Sequence, residues 1–211
     1  MYIHNSNFTI RDATADDAAQ LAEWWNDGEV MAHAGFPLGL GTTAGKIAES
    51  LIRDRDDTRR RLIIEVDSVR VGEMSYRRVD DTCLSENSGS DIPFDKAKSL
   101  SDVCPTAEIG IKICDPAYQN RGLGKKLLCM LISELFRVGY QKIVLDTNLN
   151  NTRAQHVYEQ LGFRRLRVNV DSWRDQLNRL QSSVDYELRP SDFTGAASDV
   201  TGTASDVADT D

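Results

Sequence analysis

The chain has 211 residues, of which 40% are hydrophobic and 27% charged, and its formal net charge is −8. That length suffices for one ordinary domain with a sizeable core, and the composition suits a soluble globular protein. No run approaches the roughly 18 apolar residues of a membrane helix, no basic field argues for nucleic acid, and the start MYIHNSNFTIRD lacks a signal-peptide pattern, so a cytoplasmic location is expected.

The pattern Phe8 to Arg11 alternates and predicts a first strand. Thr14 followed by Asp16 and Asp17 is a helix start, with Ala18, Leu21, Ala22 and Trp25 on its apolar face. The glycine-rich run 26–43 reads as a loop or broken helix, and Thr42 or Thr43 caps a helix over 44–53. The charged run 54–61 is a solvated helix end and turn. Leu62 to Val66 and Val71 to Arg77 form a hairpin around Asp67-Ser68. The polar segment 80–106 then reads as one long loop, of the kind that is usually functional or mobile.

Glu108 to Cys114 is the next strand, and Asp115-Pro116 breaks it. A long helix over 122–138 carries Leu127, Leu128, Leu131, Ile132 and Leu135 on one face and ends at Gly139. Lys142 to Asp146 is a buried strand, and 151–161 is a helix stopped by Gly162. Phe163 to Val168 and Val184 to Leu188 alternate as strands, with a turn of helix or an ordered loop over 171–181. The domain is expected to span 1–190. The tail 191–211 carries five aspartates, no Lys or Arg and a seven-residue repeat, so it is expected to be disordered, and it leaves only −3 on the body.

Cys83, Cys104, Cys114 and Cys129 form no C-x-x-C pair, and His4, His33 and His156 share no spacing, so no metal is expected. The cysteines read as free thiols, with a Cys83–Cys104 clip as the alternative.

The chemistry concentrates where a strand meets Gln119-Asn120-Arg121-Gly122-Leu123-Gly124 and a long helix. Unpaired amides and a positive dipole end make a helix start an anion site, and glycines let the backbone approach a ligand. Lys125 and Lys126 add positive charge. A Walker loop fails because its first glycine would fall at Gln119 and Lys126 stands where Ser or Thr is needed. A dinucleotide fingerprint fails because Leu127 stands where the third glycine belongs.

The pattern that fits, Gln-x-x-Gly-x-Gly after a strand, resembles the acyl-CoA-binding signature of the GNAT acetyltransferase superfamily. The resemblance continues in order through the AEIGI strand, the long helix, the IVLDTN strand and Asn151-x-x-Ala154-x-x-x-Tyr158-x-x-x-Gly162-Phe163, and it covers about 8–188. It implies an α/β (α+β) fold: a mixed, largely antiparallel central sheet flanked by helices, with a splayed V between the fourth and fifth strands. It implies acetyl-CoA as cosubstrate, held at the pyrophosphate by the amides of Arg121, Gly122, Gly124 and Lys125, with Gln119 opening the signature. The backbone of Ile111, Lys112 and Ile113 would face the pantetheine arm like a neighbouring strand, and an amide near Lys112 would polarise the acetyl carbonyl. Asn151 would contact the same arm.

Tyr158 would protonate the departing thiolate, against the plainer reading of a packed helix residue. Glu108 is the favoured base, with Glu73 as competitor. Trp24 and Trp25 cannot both face the core, and one of them, like Trp173, is a candidate for lining the acceptor groove. The function implied is transfer of acetyl to a primary amine, either a small molecule or a peptide N-terminus. Trp24 to Asp27 and Tyr186 to Leu188 look most like the branch acting on ribosomal-protein N-termini or small amines. A homodimer is to be looked for, since dimers are common in the family. The segment 80–106 departs from the family's short turn and reads as either a lid or a tolerated insertion. The alternative function is a non-catalytic acyl-CoA-binding sensor.

Overall fold

A computed structural model of the protein describes residues 1–53, 58–82 and 103–195. The middle of the expected 80–106 loop, Cys83 of the proposed clip and 196–211 of the expected tail lie outside the described residues. Among those described, a single sheet runs in the order β1-β2-β3-β4-β5-β6-β8-β7. Its strands are β1 (Tyr2–Asn5), β2 (Phe8–Asp12), β3 (Arg59–Val66), β4 (Val69–Thr82), β5 (Val103–Ile113), β6 (Lys142–Asn148), β7 (Arg164–Arg174) and β8 (Leu180–Leu188). The helices are α1 (Ala18–Asn26), α2 (Gly28–Met31), α3 (Ala44–Arg53), α4 (Leu123–Arg137) and α5 (Thr152–Gln160).

Every pairing is antiparallel except that of β5 with β6. That parallel ladder joins only Thr106, Ala107 and Glu108 to Lys142, Ile143 and Val144. Beyond it the two strands run on without each other, β5 to Ile113 and β6 to Asn148. This is the expected V, displaced by one in strand count because β1 precedes the first strand read from the sequence.

Several strand boundaries differ from the sequence reading, among them β3, which takes in Arg59 to Arg61 from the run expected to be a solvated helix end and turn. β1 folds back on β2 through Ser6 at φ 56°, but half of its residues are exposed and none is fully buried, so no apolar alternation announces it. The expected loop 80–106 is strand at both ends, with Asp80, Asp81 and Thr82 paired to Pro105, Cys104 and Val103. Pro105 is tolerated there because its missing donor faces β6, just beyond that strand's first residue, while its carbonyl accepts from Gln141 N–H at 2.8 Å. β7 continues to Arg174 through an irregularity between Asn169 and Trp173, so what looked like a helical turn or loop over 171–181 shrinks to 175–179.

The sheet buries both faces. On one, α4 packs Leu127, Leu128, Leu131, Ile132 and Leu135 against Phe8, Ile10, Leu62, Ile64, Ile109, Ile143 and Leu145, and Tyr158 and Leu161 join from α5 and the turn after it. On the other, α1 and α3 pack Ala18, Leu21, Trp24 and Ile47 on Ile63 and Cys114. β3 alternates strictly between the two layers, as a period of two demands. Trp24 goes to the core and Trp25 stays half-buried.

The start of α1 is pinned electrostatically. Asp17 is fully buried and receives Arg11 at 2.8 and 2.9 Å, Arg70 at 3.0 Å and the Thr14 N–H at 2.8 Å. Ordered contacts also pass the expected boundary at 190. Phe193 stacks edge-on to Phe136 at 5.8 Å, and the Thr194 hydroxyl donates to the Gln160 carbonyl at 2.7 Å. The body therefore extends to about residue 195.

Candidate active site

β5 ends in a turn stitched to its own last residue. Asp115 accepts from Ala117 N–H at 2.8 Å and caps the short turn Pro116–Tyr118. The Gln119 side chain then donates to the Ile113 carbonyl at 2.9 Å. The first glutamine of the signature is thus a brace within the turn. Gly122 stands before α4 at φ 75°, a conformation that side chains resist. A Cβ added at Gly122 or Gly124 would meet nothing within 4 Å, so open space faces the unpaired amides of the first helical turn. Arg121 lies over the Tyr118 ring at 5.8 Å, Lys125 reaches Gln160 at 3.2 Å, and Arg153 of α5 bonds Asn120 of the turn. Asn151 caps α5 by accepting from Ala154 N–H at 3.2 Å. An open, amide-lined cradle with flanking cations fits a pyrophosphate.

Strand alternation decides which peptide groups face the V. Cys114 N–H donates to Val71 of β4 at 2.9 Å, whereas the Pro105 carbonyl faces β6. Even-numbered peptide groups of β5 therefore serve β4, and those of Ile109, Ile111 and Ile113 turn to the gap. Lys112, expected to face the gap with Ile111 and Ile113, does not: its backbone belongs to the β4 side, and its ammonium bonds Glu73 at 3.0 Å.

The two carboxylates singled out in the sequence are both engaged. Glu73 is almost fully buried and binds Arg61 at 2.9 Å, Lys112 at 3.0 Å and the Trp25 indole N–H at 3.0 Å. Burial pushes its pKa up, but Arg61, Lys112 and the hydrogen bonds outweigh this and hold it below the usual carboxylate value. Glu108 is half-buried and bonds Arg77 of the facing strand at 2.6 Å.

A third carboxylate was missed. Asp146 lies on β6 two positions past Val144, the last residue paired with β5, on the same sheet face as Glu108. It opens to the cleft, yet enough protein surrounds the carboxyl that burial raises its pKa, and Glu108 and Asp185 raise it further, against a smaller opposing pull from Arg77. Its signal in the sequence was an acid on the outward phase of an otherwise apolar strand.

Tyr158 packs its ring on Phe163 at 5.7 Å and Tyr186 at 5.8 Å and lines the cleft beside Asp146. Burial, then Asp146 and Tyr186, push its phenol up to about 12. One cleft of about 1200 Å³ joins these groups to the glycine turn at one end and to Trp25, Glu29, His33 and Trp173 at the other. Arg61 lies over the Trp25 ring at 5.0 Å.

A family model described as an acetyltransferase (GNAT) domain matches residues 7–164. The chain belongs to the GNAT acetyltransferase family. Among curated proteins, it is 39% identical over 54 residues to a [ribosomal protein bS18]-alanine N-acetyltransferase of Haemophilus ducreyi, covering 26% of this chain and 37% of that one. It is 40% identical over 63 residues to a mycothiol acetyltransferase of Gordonia bronchialis, covering 30% and 20%. The matches thus span well under half of these relatives' length.

Among solved structures, a spermidine N-acetyltransferase from Vibrio cholerae in complex with CoA and spermine superposes with TM-score 0.69 at 18% identity, covering 89% of this chain and 98% of that one. A ribosomal L7/L12 alpha-N-protein acetyltransferase in complex with coenzyme A gives 0.68 at 13% identity, covering 90% and 98%. At these identities the likeness concerns the fold. Among the described residues no helix is long and apolar enough to cross a membrane, and no His, Cys, Asp and Glu cluster could hold a metal ion.

Proposed function

We propose that the protein is an N-acetyltransferase that moves acetyl from acetyl-CoA to a primary amine by direct attack. The observation that carries this reading is the opened edge of β5, flanked by an amide cradle at one end and by Tyr158 and Asp146 on the β6 side. The cradle at Arg121, Gly122, Gly124 and Lys125 holds the pyrophosphate, and Asn151 and the peptide groups of Ile111 and Ile113 hold the arm. The acceptor ammonium gives a proton to Asp146. The freed amine attacks the thioester carbonyl, whose oxygen is met by an Ile111 or Ile113 amide as charge develops. The C–N bond forms as the C–S bond breaks, Tyr158 donates its proton to the departing sulfur, and the acylated nitrogen gives up its extra proton to restore the phenol, leaving an N-acetyl amine and free CoA.

Asp146 takes the role expected of Glu108, because Glu108 is bound to Arg77 while no side chain of the described residues bonds Asp146. The finding that curated and structural relatives include enzymes named for ribosomal-protein and spermidine acetylation supports an amine acceptor. Release of CoA thiol across a panel of amines and N-terminal peptides tests the reading. Acetyl-CoA binding without thiol release on any amine would instead favour the sensor.

Asp146→Asn is expected to lower kcat on the order of 10²-fold and to flatten the acid limb of the pH–rate profile. Its effect on stability should have the opposite sign. A carboxyl whose folded pKa is raised contributes stability below its unfolded value of 3.8 and loses it as pH rises through the folded value. At pH 7 the charged Asp146 therefore costs stability, and the Asn variant should melt higher, which calorimetry at pH 7 and pH 4 would check.

Gly124→Ala separates binding from folding. Its Cβ enters open space and Ala favours a helix, so stability should hold or rise by roughly 0.5–1 kcal/mol. The same methyl stands where the pyrophosphate would lie, so the acetyl-CoA Kd should rise about tenfold. An unchanged Kd by calorimetry would remove the cradle from the proposal.

A further inference from the structure

We propose that a clasp across the mouth of the cleft selects the acceptor, admitting the terminal amine of an extended chain and turning away an amine carried on a ring. The inference rests on reading the cleft as an acyl-transfer site. The chain leaving α1 passes through α2 to the turn Ala32–Ala34, which comes within 8 Å of β6. Since α1 sits over β3 and the end of β5, this segment spans the V from one side to the other.

Once across, it is fastened. The Gln176 N–H donates to the Gly35 carbonyl at 2.8 Å, its side-chain oxygen accepts from Leu38 N–H at 2.9 Å, and its side-chain nitrogen donates to the Gly39 carbonyl at 2.9 Å. The β7–β8 loop and the α2–α3 loop are thereby one unit. Trp173 completes it. Its ring fills the place of a side chain at Gly35, where a Cβ would lie 2.4 Å from the ring and φ is already 91°. The near side is no looser. The Asp27 side chain accepts from Glu29 N–H at 2.7 Å, and the Asn26 amide exchanges hydrogen bonds with the Thr42 backbone, each at 2.9 Å.

Two indoles consequently stand on opposite sides of the approach to Asp146. Trp173 rises from the β7 side, held over Gly35. Trp25 descends from α1, held by Glu73 at 3.0 Å beneath Arg61. Trp25 cannot swing away without breaking its bond to Glu73, and Trp173 cannot without leaving its seat against Gly35. An amine at the end of an unbranched chain passes edge-on between flat walls, and Glu29 and Asp146 supply negative charge along the way. An amine on a saturated ring brings carbon to both sides of the nitrogen-bearing centre and meets Trp173 first. The selection is steric, so it should show in acceptor KM more than in kcat.

Thiol release by the full chain with n-butylamine and with cyclohexylamine tests this. The unmodified protein should favour n-butylamine by at least about tenfold in kcat/KM, within the range a shaped pocket can supply. Trp173→Ala and Gln176→Ala should each narrow that ratio about tenfold, chiefly by lowering the cyclohexylamine KM, with acetyl-CoA Kd unchanged. Hydrogen exchange should quicken over 35–39 in Gln176→Ala, a readout independent of turnover. An unchanged ratio in variants that turn over n-butylamine would overturn the clasp, as would unchanged exchange over 35–39. Absence of thiol release with every amine would sink the acyl-transfer reading itself.

Discussion

Tyr158→Phe is expected to reduce turnover on the order of 10²-fold while leaving acetyl-CoA affinity and the melting temperature nearly unchanged. The substitution removes one oxygen and nothing else. The ring keeps its edge contact with Phe163 and its tilted contact with Tyr186, and the hydroxyl has no hydrogen-bond partner among the described residues to leave stranded. With its pKa pushed up to about 12, the phenol is protonated throughout the physiological range and available as a donor. Steady-state kinetics beside calorimetric titration with acetyl-CoA separates the outcomes, and an unaltered kcat would mean that water protonates the thiolate.

Glu73→Ala should produce the largest loss of stability, about 3–5 kcal/mol, because it breaks a buried ionic cluster from one side. Arg61 and Lys112 would keep their charge with no other carboxylate bonded to them among the described residues, and the Trp25 indole N–H would lose its acceptor. For a chain of this size the melting temperature should fall by about 10 °C. The sign with pH follows from the depressed pKa. The carboxylate contributes above its unfolded value of 4.5, and the contribution disappears as pH falls through the lower folded value. The difference between Glu73→Ala and the unmodified protein should therefore be full at pH 7 and shrink under strong acid. Denaturant unfolding at several pH values checks this, and a loss below about 1 kcal/mol would show that the cleft rehydrates the orphaned cations.

Much of the fold is legible in residues whose signals are local. α4 and α5 announce themselves by apolar spacing and by Gly139 and Gly162, both of which take positive φ. The glycine turn is legible for the same reason. β1 and the far half of β7 are not, because edge strands with little buried surface have no apolar phase to show. The carboxylates illustrate a second limit. Alternation places Glu73 and Glu108 on a strand face, but nothing local says that β3, β5 and α1 deliver partners to Glu73, or that the register sets Arg77 opposite Glu108. Long-range pairing turns two plausible bases into occupied ones and leaves Asp146 available. The same holds for Gln176 and Gly35, distant in sequence and joined only in space.

From Ile109 to Ile113 the middle of the sheet contains a bare edge, the kind of surface that ordinarily recruits another chain. Here its guard is depth, since whatever pairs with it must fit between two diverging strands. Another protein's strand would need room for its side chains on both faces of the sheet, where α4 lies on one side and α1 on the other. A slender arm with amides spaced along it needs no such room. The covered faces thus guard the bare edge against a neighbouring chain without any charged or bulged residue on the edge itself.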